Sequence, residues 1–430
     1  MKKYIIIAFL LPSISIFAQS TAPTELKSII QASFEYFPKF KEMQQMENIN
    51  AERLVNIKTN QMPNVNGSIG YNYIDPVGQA SFPVGPGVTK TLQFQPNNNY
   101  NLNIAANYVL YDFGRLKLSI EKTKEELKNS QLNTESAKYQ LASQISSIYY
   151  TLVYLKKAIQ IQDSIILSFQ QSKKLTQSRF NNGDALNVDL MNIQASIDNE
   201  NNRKIDLENA FNKQLNLLEY TTGKNSVAGI AFDFNFANSN IDKLIATAES
   251  QNAEISIFKS KLNQATYDIS FNKALKLPSI SVVASAGYRN GYQPDIEKLR
   301  LNYLAGMSLN VPIYLGGKLN SQTKLATLSS QQTEYALNTY KHGLKKEIKQ
   351  ALIDIESNTE KLANVKSQIE SAMSVVKLTQ SLYKNGSATT VDISNATGNL
   401  QRSYLNQLQF EYQICLTKIE LAKITGEKYW

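Results

Sequence analysis

A single histidine, His342, and a single cysteine, Cys415, leave this 430-residue sequence almost without the side chains that nucleophilic and metal chemistry require. A Ser-His-Asp relay and the common zinc sites lose most of their ligand supply. Cys415 has no partner for an internal disulfide and falls in an apolar helical pattern, which reads as core packing. His342 sits among Lys341, Lys345 and Lys346 on a helical stretch. Gly85–Lys90 (GPGVTK) looks like a phosphate loop only superficially, because it lacks the Gly-Lys-Ser/Thr ending before a helix. Most Asp and Glu residues follow helical faces, so no catalytic, cofactor-binding or metal site is expected. The informative carboxylates are Asp189 and Asp392, because they stand at equivalent places in a repeat.

Leu175–Leu190 (LTQSRFNNGDALNVDL) returns as Leu378–Ile393 (LTQSLYKNGSATTVDI), with nine of sixteen positions identical at an offset of 203. The same offset links Tyr111-Asp-Phe-Gly114 to Tyr314-Leu-Gly-Gly317, and Thr222-Gly223 to Thr425-Gly426. Upstream, Met62-Pro63 matches Leu277-Pro278 at an offset of 215, so the second copy is 12 residues shorter between Pro278 and Tyr314. One unit of about two hundred residues has been duplicated. The expected divisions are a signal segment 1–18, a first repeat 19–223, a linker 224–240, a second repeat 241–426 and a tail 427–430.

The signal segment is read from basic Lys2-Lys3, the mostly apolar Tyr4–Phe17 and small Ala18 before Gln19. Removing it lowers the formal charge from +9 to about +7. The remaining lysines alternate with acids along helices, which reads as solvated faces and not as a nucleic-acid surface.

The hydrophobic period switches at matched places. Tyr100, Leu102, Ile104, Ala106, Tyr108 and Leu110 alternate with Asn99, Asn101, Asn103 and Asn107. Val65–Tyr73, Ile280–Tyr288 and Leu301–Val311 alternate in the same way, which predicts strands over about 64–73, 99–111, 279–289 and 300–312. Each has the length of a tilted membrane strand, although alternation also describes a half-buried strand in a soluble sandwich. An uncharged Asn/Ser face and tyrosines near the run ends favour the membrane. These two hairpins are expected to be the only strands, with Ile74–Asn98 a Gly/Pro/Asn-rich surface loop.

The rest reads as helix. Proline-free patterns run from Gly114 to about Phe180 and from Leu319 to Tyr383, each spanning roughly 100 Å at 1.5 Å per residue. Helices of that length bury their stripes in a coiled-coil manner. Gly183 and Gly386 break them, and Asp184 and Ser387 are expected to cap the return helices Ala185–Tyr220 and Ala388–Ile424. Four strands cannot close around water, so membrane strands here require several copies of the chain.

In the order and spacing of these features the whole mature chain resembles the TolC family of outer-membrane efflux proteins. The markers are Arg179–Gly183 with Val188-Asp189, Tyr383–Gly386 with Val391-Asp392, and the strand–helix junctions at Gly114, Pro312 and Gly317. The resemblance implies an α+β membrane protein: a homotrimer whose β-barrel, four strands per protomer, sits in the outer membrane and continues as a long α-helical barrel in the periplasm. It implies partners, namely a periplasmic adaptor and an inner-membrane RND or ABC transporter, with outer-membrane lipid around the barrel and no cofactor or reaction. It places the periplasmic gate at Asp392, Tyr383 and Asp189, with Asp392 forming an acidic ring and Tyr383 bonding Asp189. Gly183, Asp184, Gly386 and Ser387 would form the tip turns and the adaptor-docking surface. Asn395 and Ala388 depart from the family's second ring acid and tethering arginine, which implies a weaker or differently built gate.

The expected function is an exit duct of a tripartite efflux system. Two alternatives stay open: the duct of an ABC-type protein secretion system, and an exported coiled-coil structural protein without a pore.

Overall fold

The structure, a computed structural model, describes residues 21–225, 227, 229–236 and 240–430. The expected signal segment 1–18 lies outside the described residues. Prolines are absent between Pro96 and Pro278 and again after Pro312, so no proline interrupts the long helices there.

The chain runs α1 (Thr24–Tyr36), α2 (Pro38–Thr59), β1 (Asn64–Tyr73), β2 (Gln79–Gly85), β3 (Val88–Gln93), β4 (Asn98–Tyr111), α3 (Arg115–Asn181) and α4 (Asn187–Thr222). It then repeats as α5 (Ile241–Gln251), α6 (Ala253–Ala274), β5 (Ser279–Arg289), β6 (Arg300–Asn310), α7 (Lys318–Lys384) and α8 (Thr390–Thr425). The copies match in length: α3 and α7 have 67 residues each, α4 and α8 have 36, and α2 and α6 have 22. No helix among the described residues is long and apolar enough to cross a membrane.

Two compact units divide the chain. One comprises the described part of Met1–Gln44 with Leu132–Ser256 and Asn338–Trp430. Its core is the apolar stripe of α3 (Ile145, Tyr149, Leu152) together with Leu218, Ile419 and Leu421. Phe234 and Phe236 of the linker pack into it. Phe234 is buried with its ring 5.0 Å from Tyr429, and Asn235 exchanges main-chain hydrogen bonds with Thr21 at 2.8 and 3.0 Å. Buried Tyr150 donates to Asp233 at 2.9 Å and Tyr149 donates to Glu25 at 2.7 Å.

The second unit, Gln45–Gln131 with Ile257–Leu337, holds an antiparallel sheet in the order β1-β4-β5-β6. Its register matches apolar with apolar across every strand. One ladder runs Ile69–Leu102–Tyr288–Leu301 and another runs Val65–Ala106–Ala284–Ala305. The opposite face carries Ser68 beside Asn103, Asn72 beside Asn99, and Ser281 hydrogen-bonded to Ser308 at 2.7 Å. Because side chains alternate at a period of two, this register leaves one wholly apolar face and one rich in Asn and Ser that also carries Ala105, Val283 and Leu304. Gly287 is required where β5 meets β4: an added Cβ would lie 1.9 Å from the Leu102 carbonyl oxygen.

The expected loop Ile74–Asn98 is partly strand. β2 and β3 pair as a third hairpin with Pro86-Gly87 at its turn and Gly87 at φ 79°. Pattern reading missed it because Pro83 and Gly85 mask the alternation of Phe82, Val84, Val88 and Leu92, and both strands are edges, where proline is tolerated.

At the strand–helix junctions the copies share an unusual backbone. Phe113 and Gly114 have φ of 55° and 85°, and the matched Gly316 and Gly317 have 61° and 77°. Asp112 makes the first turn by accepting from the Gly114 and Leu116 N–H groups at 3.0 and 2.6 Å. Pro312 lies between β6 and this turn, where no ladder N–H is needed.

Candidate gate at the hairpin tips

Both tips fold by the same hydrogen bonds. Gly183 N–H donates to Phe180 at 3.0 Å and Asp184 N–H to Arg179 at 2.8 Å. In the second tip Gly386 donates to Tyr383 at 3.1 Å and Ser387 to Leu382 at 2.9 Å. Gly183 and Gly386 have φ of 84° and 79°, so each α-helix ends on a left-handed glycine.

The caps lie two residues beyond Asp184 and Ser387. Asp189 accepts from the Leu186 N–H at 3.0 Å, and Asp392 from the Thr389 N–H at 2.8 Å. Asp392 thus holds the N3 position of a capping box, Asp189 supplies only the carboxylate half of one because Leu186 has no side-chain acceptor, and the return helices begin at Asn187 and Thr390. Asp184 and Ser387 remain in the exposed turns with Gly183 and Gly386. Helix-propensity reasoning favours the first polar residue after glycine, whereas the turn consumes two more residues before helical geometry is reached.

Thr389 adds what Leu186 cannot. Its hydroxyl donates to Asp392 at 2.7 Å and accepts from the Asp392 N–H at 3.2 Å. The backbone and then the side-chain hydrogen bond from Thr389 hold the exposed Asp392 carboxyl below the usual carboxylate range.

The structure changes the expected partners of Tyr383 and Asp189. Tyr383 is buried and its hydroxyl bonds Thr176 at 2.8 Å. Asp189 instead accepts from the Thr390 hydroxyl at 3.0 Å. Two bridges therefore join the hairpins where one was expected. Arg179 supplies a third: it donates to the Tyr383 carbonyl and to the Asp184 carbonyl, and its guanidinium lies 4.7 Å from the Tyr383 ring centre. Arg179 and Thr176 were visible in the repeat as a marker and an identity. Nothing in the spacing showed that they face Tyr383.

About 14 residues up α3, roughly 21 Å at the helical rise, a buried polar knot joins three helices. Gln162 donates to the Glu200 main chain and carboxylate, both at 2.7 Å, and Gln401 donates to Gln162 at 2.9 Å and to Glu200 at 2.8 Å. Arg203 closes it with a 2.6 Å bond to Glu200. Between knot and tip, Ile165, Phe169, Ile193 and Ile197 form an apolar layer. The arrangement ties α3, α4 and α8 together through buried hydrogen bonds and apolar packing. Burial pushes the Cys415 thiol up to about 12, which makes it unreactive.

The description "outer membrane efflux protein" belongs to a family model that matches residues 47–224 and again 244–427, once for each copy. The chain belongs to this family. Among curated members, TolC of Escherichia coli is 24% identical over 315 residues, covering 69% of this chain and 61% of that protein. The alkaline protease secretion protein AprF of Pseudomonas aeruginosa is 23% identical over 267 residues, covering 58% of this chain and 55% of that protein. The aligned stretch thus spans about three-fifths of the length of these family members. Among solved structures, CusC superposes with a TM-score of 0.81 over 99% of both chains at 15% identity, which shows a shared fold.

Proposed function

We propose that this protein is the exit duct of an export system, a homotrimer seated in the outer membrane with its helical hairpins in the periplasm. The observation that carries the reading is the sheet. Its apolar face is exposed, with Ile69 at 85%, Tyr303 at 86% and Met307 at 70%. A contiguous apolar face of this kind needs an apolar neighbour. β1 and β6 each pair on one side only, and unpaired edges are forbidden in lipid. Three copies of a four-stranded sheet, joined edge to edge, would bury both edges and turn the Asn/Ser face toward water.

Hairpins that leave such a barrel would carry the gate at their tips. Breaking the Arg179–Tyr383, Tyr383–Thr176 and Asp189–Thr390 bridges would free the tip of the second hairpin from that of the first, with the Gln162–Glu200–Gln401 knot still joining them farther up. Asp392, one per copy, would ring the aperture with negative charge and favour cations. The exposed turns at Gly183–Asp184 and Gly386–Ser387 would meet a periplasmic adaptor, which in turn engages an RND or ABC transporter of the inner membrane. The cargo in this reading is small toxic compounds. Similarity to AprF favours a second reading, in which an ABC exporter passes polypeptide through the same duct.

Purified protein in a planar bilayer tests the duct. Discrete, cation-selective conductance from a detergent-extracted trimer is expected; a soluble rod without conductance would sink the reading. Deleting the gene separates the cargoes, since loss of tolerance to toxic compounds marks efflux and loss of a secreted polypeptide marks the alternative.

A further inference from the structure

The register brings four chain ends together at one end of the sheet: Asn64 lies opposite Asn107, Tyr111 opposite Ile280, and Ser279 opposite Asn310. The segments that flank these ends, 54–63, 112–119, 270–278 and 311–318, contain six basic residues: Lys58, Arg115, Lys117, Lys273, Lys276 and Lys318. Asp112 is their only acid, and its carboxylate is occupied by N–H groups of its own turn. At the other end of the sheet, the connections 74–97 and 290–299 carry two lysines and three acids, while Arg289 faces Arg300 on the last rung. The asymmetry is thus confined to one end.

None of the six bases forms an ion pair among the described residues. The bonds they make are to neutral groups. Arg115 donates to the Ala274 and Leu277 carbonyls, and Lys276 donates to the Asn320 side chain at 2.7 Å. These contacts position charge without cancelling it. Exposed Tyr111 and Tyr314 precede Arg115 and Lys318 by four residues each, in register between the copies. From sheet to helix the order is apolar face, tyrosine, then base, which is the order of a leaflet from hydrocarbon through interface to headgroup.

We propose that this basic collar binds the headgroups of anionic phospholipids in the leaflet at the strand–helix junction. It rests on the membrane reading above. Charge complementarity selects the partner, because bases left unpaired at headgroup depth are satisfied by lipid phosphate and weaken as salt rises.

The test is competition between phosphatidylglycerol and phosphatidylcholine for the full-length protein in neutral detergent, with bound lipids counted by native mass spectrometry. Wild type is expected to retain phosphatidylglycerol several-fold over phosphatidylcholine. Replacing Lys58, Lys117, Lys273, Lys276 and Lys318 by Gln should bring the ratio to parity, with Arg115 spared because it ties α6 to α3. The same five positions as Arg should keep the preference, which separates charge from misfolding. Parity in wild type, or an unchanged preference in the Gln set, overturns the inference. So does equal competition by glycerol phosphate, which would mark an anion site indifferent to lipid. Conductance measured in phosphatidylcholine keeps the two readings apart: parity with conductance intact removes only the collar, whereas absent conductance removes the duct.

Discussion

The guanidinium of Arg179 lies 4.7 Å from the Tyr383 ring centre and donates to the carbonyl of the same tyrosine, gripping it at two points. In the repeat, Arg179 corresponds to Leu382 and Tyr383 to Phe180. Neither copy contains the pair alone; it forms only when one hairpin meets the other. Ala388 stands where the family's tethering arginine is expected, and here an arginine on the opposite hairpin makes the tie.

Separating the components of this tie gives the first expectation. Tyr383→Phe keeps the ring and loses the Thr176 bond, at a cost of about 1 kcal/mol, whereas Arg179→Ala loses both the carbonyl bond and the stacking. Single-channel conductance should therefore rise modestly in Tyr383→Phe and more in Arg179→Ala. If Arg179→Ala, Tyr383→Phe, Asp189→Ala and Asp392→Ala all leave conductance and cation preference unchanged, the tips do not gate.

The buried knot should behave as a unit. Glu200 accepts from Gln162, Gln401 and Arg203, so Glu200→Ala takes one of two acceptors from each of two buried amides and should cost on the order of 3 kcal/mol. Glu200→Gln preserves shape and some of the bonds, and a loss nearer 1 kcal/mol is expected. Denaturant midpoints of the two variants measure the difference. Equal losses would show that the knot contributes volume and not hydrogen bonding.

Much of this protein was legible because its signals are local and repeated. The four alternating runs correspond to β1, β4, β5 and β6, and Gly183 and Gly386 stand at the tip turns. Long-range partners were not legible. Thr176 and Tyr383 are 207 residues apart, and Gln162 and Gln401 are 239 apart, so no periodicity connects them. The β2–β3 hairpin was hidden by its prolines, and the caps were misplaced by two residues because turn geometry outranks side-chain preference.

Asp392 carries a pH expectation with a definite sign. Its folded pKa is depressed by Thr389, so its cap is fully formed above the ordinary carboxylate value and is lost as pH falls through the lower, folded value. A ring of like charges in a trimer would push the other way. The hydrogen bonds act at 2.7 and 2.8 Å, whereas repulsion across a water-filled aperture is screened. Conductance should therefore show no Asp392-dependent step between about pH 5 and pH 8, where carboxylates of ordinary or lowered pKa stay ionised. A step in wild type that disappears in Asp392→Asn would show that ring repulsion dominates.

The strand–helix junction offers a comparison between strain and contact. Phe113 holds φ 55° where the second copy uses Gly316 at 61°. A left-handed non-glycine residue costs about 1–2 kcal/mol, and the edge-on contact of Phe113 with Tyr111, at 4.7 Å, returns roughly 0.5–1.5 kcal/mol. Phe113→Gly removes both, so its stability should lie within about 1 kcal/mol of wild type. Phe113→Ala keeps the strain and loses the ring, and should be the less stable of the two by about 1 kcal/mol. Thermal unfolding of the detergent-solubilised protein ranks them. Should Phe113→Ala equal or exceed Phe113→Gly, the left-handed backbone at this junction costs nothing, and the glycine in the second copy needs another cause.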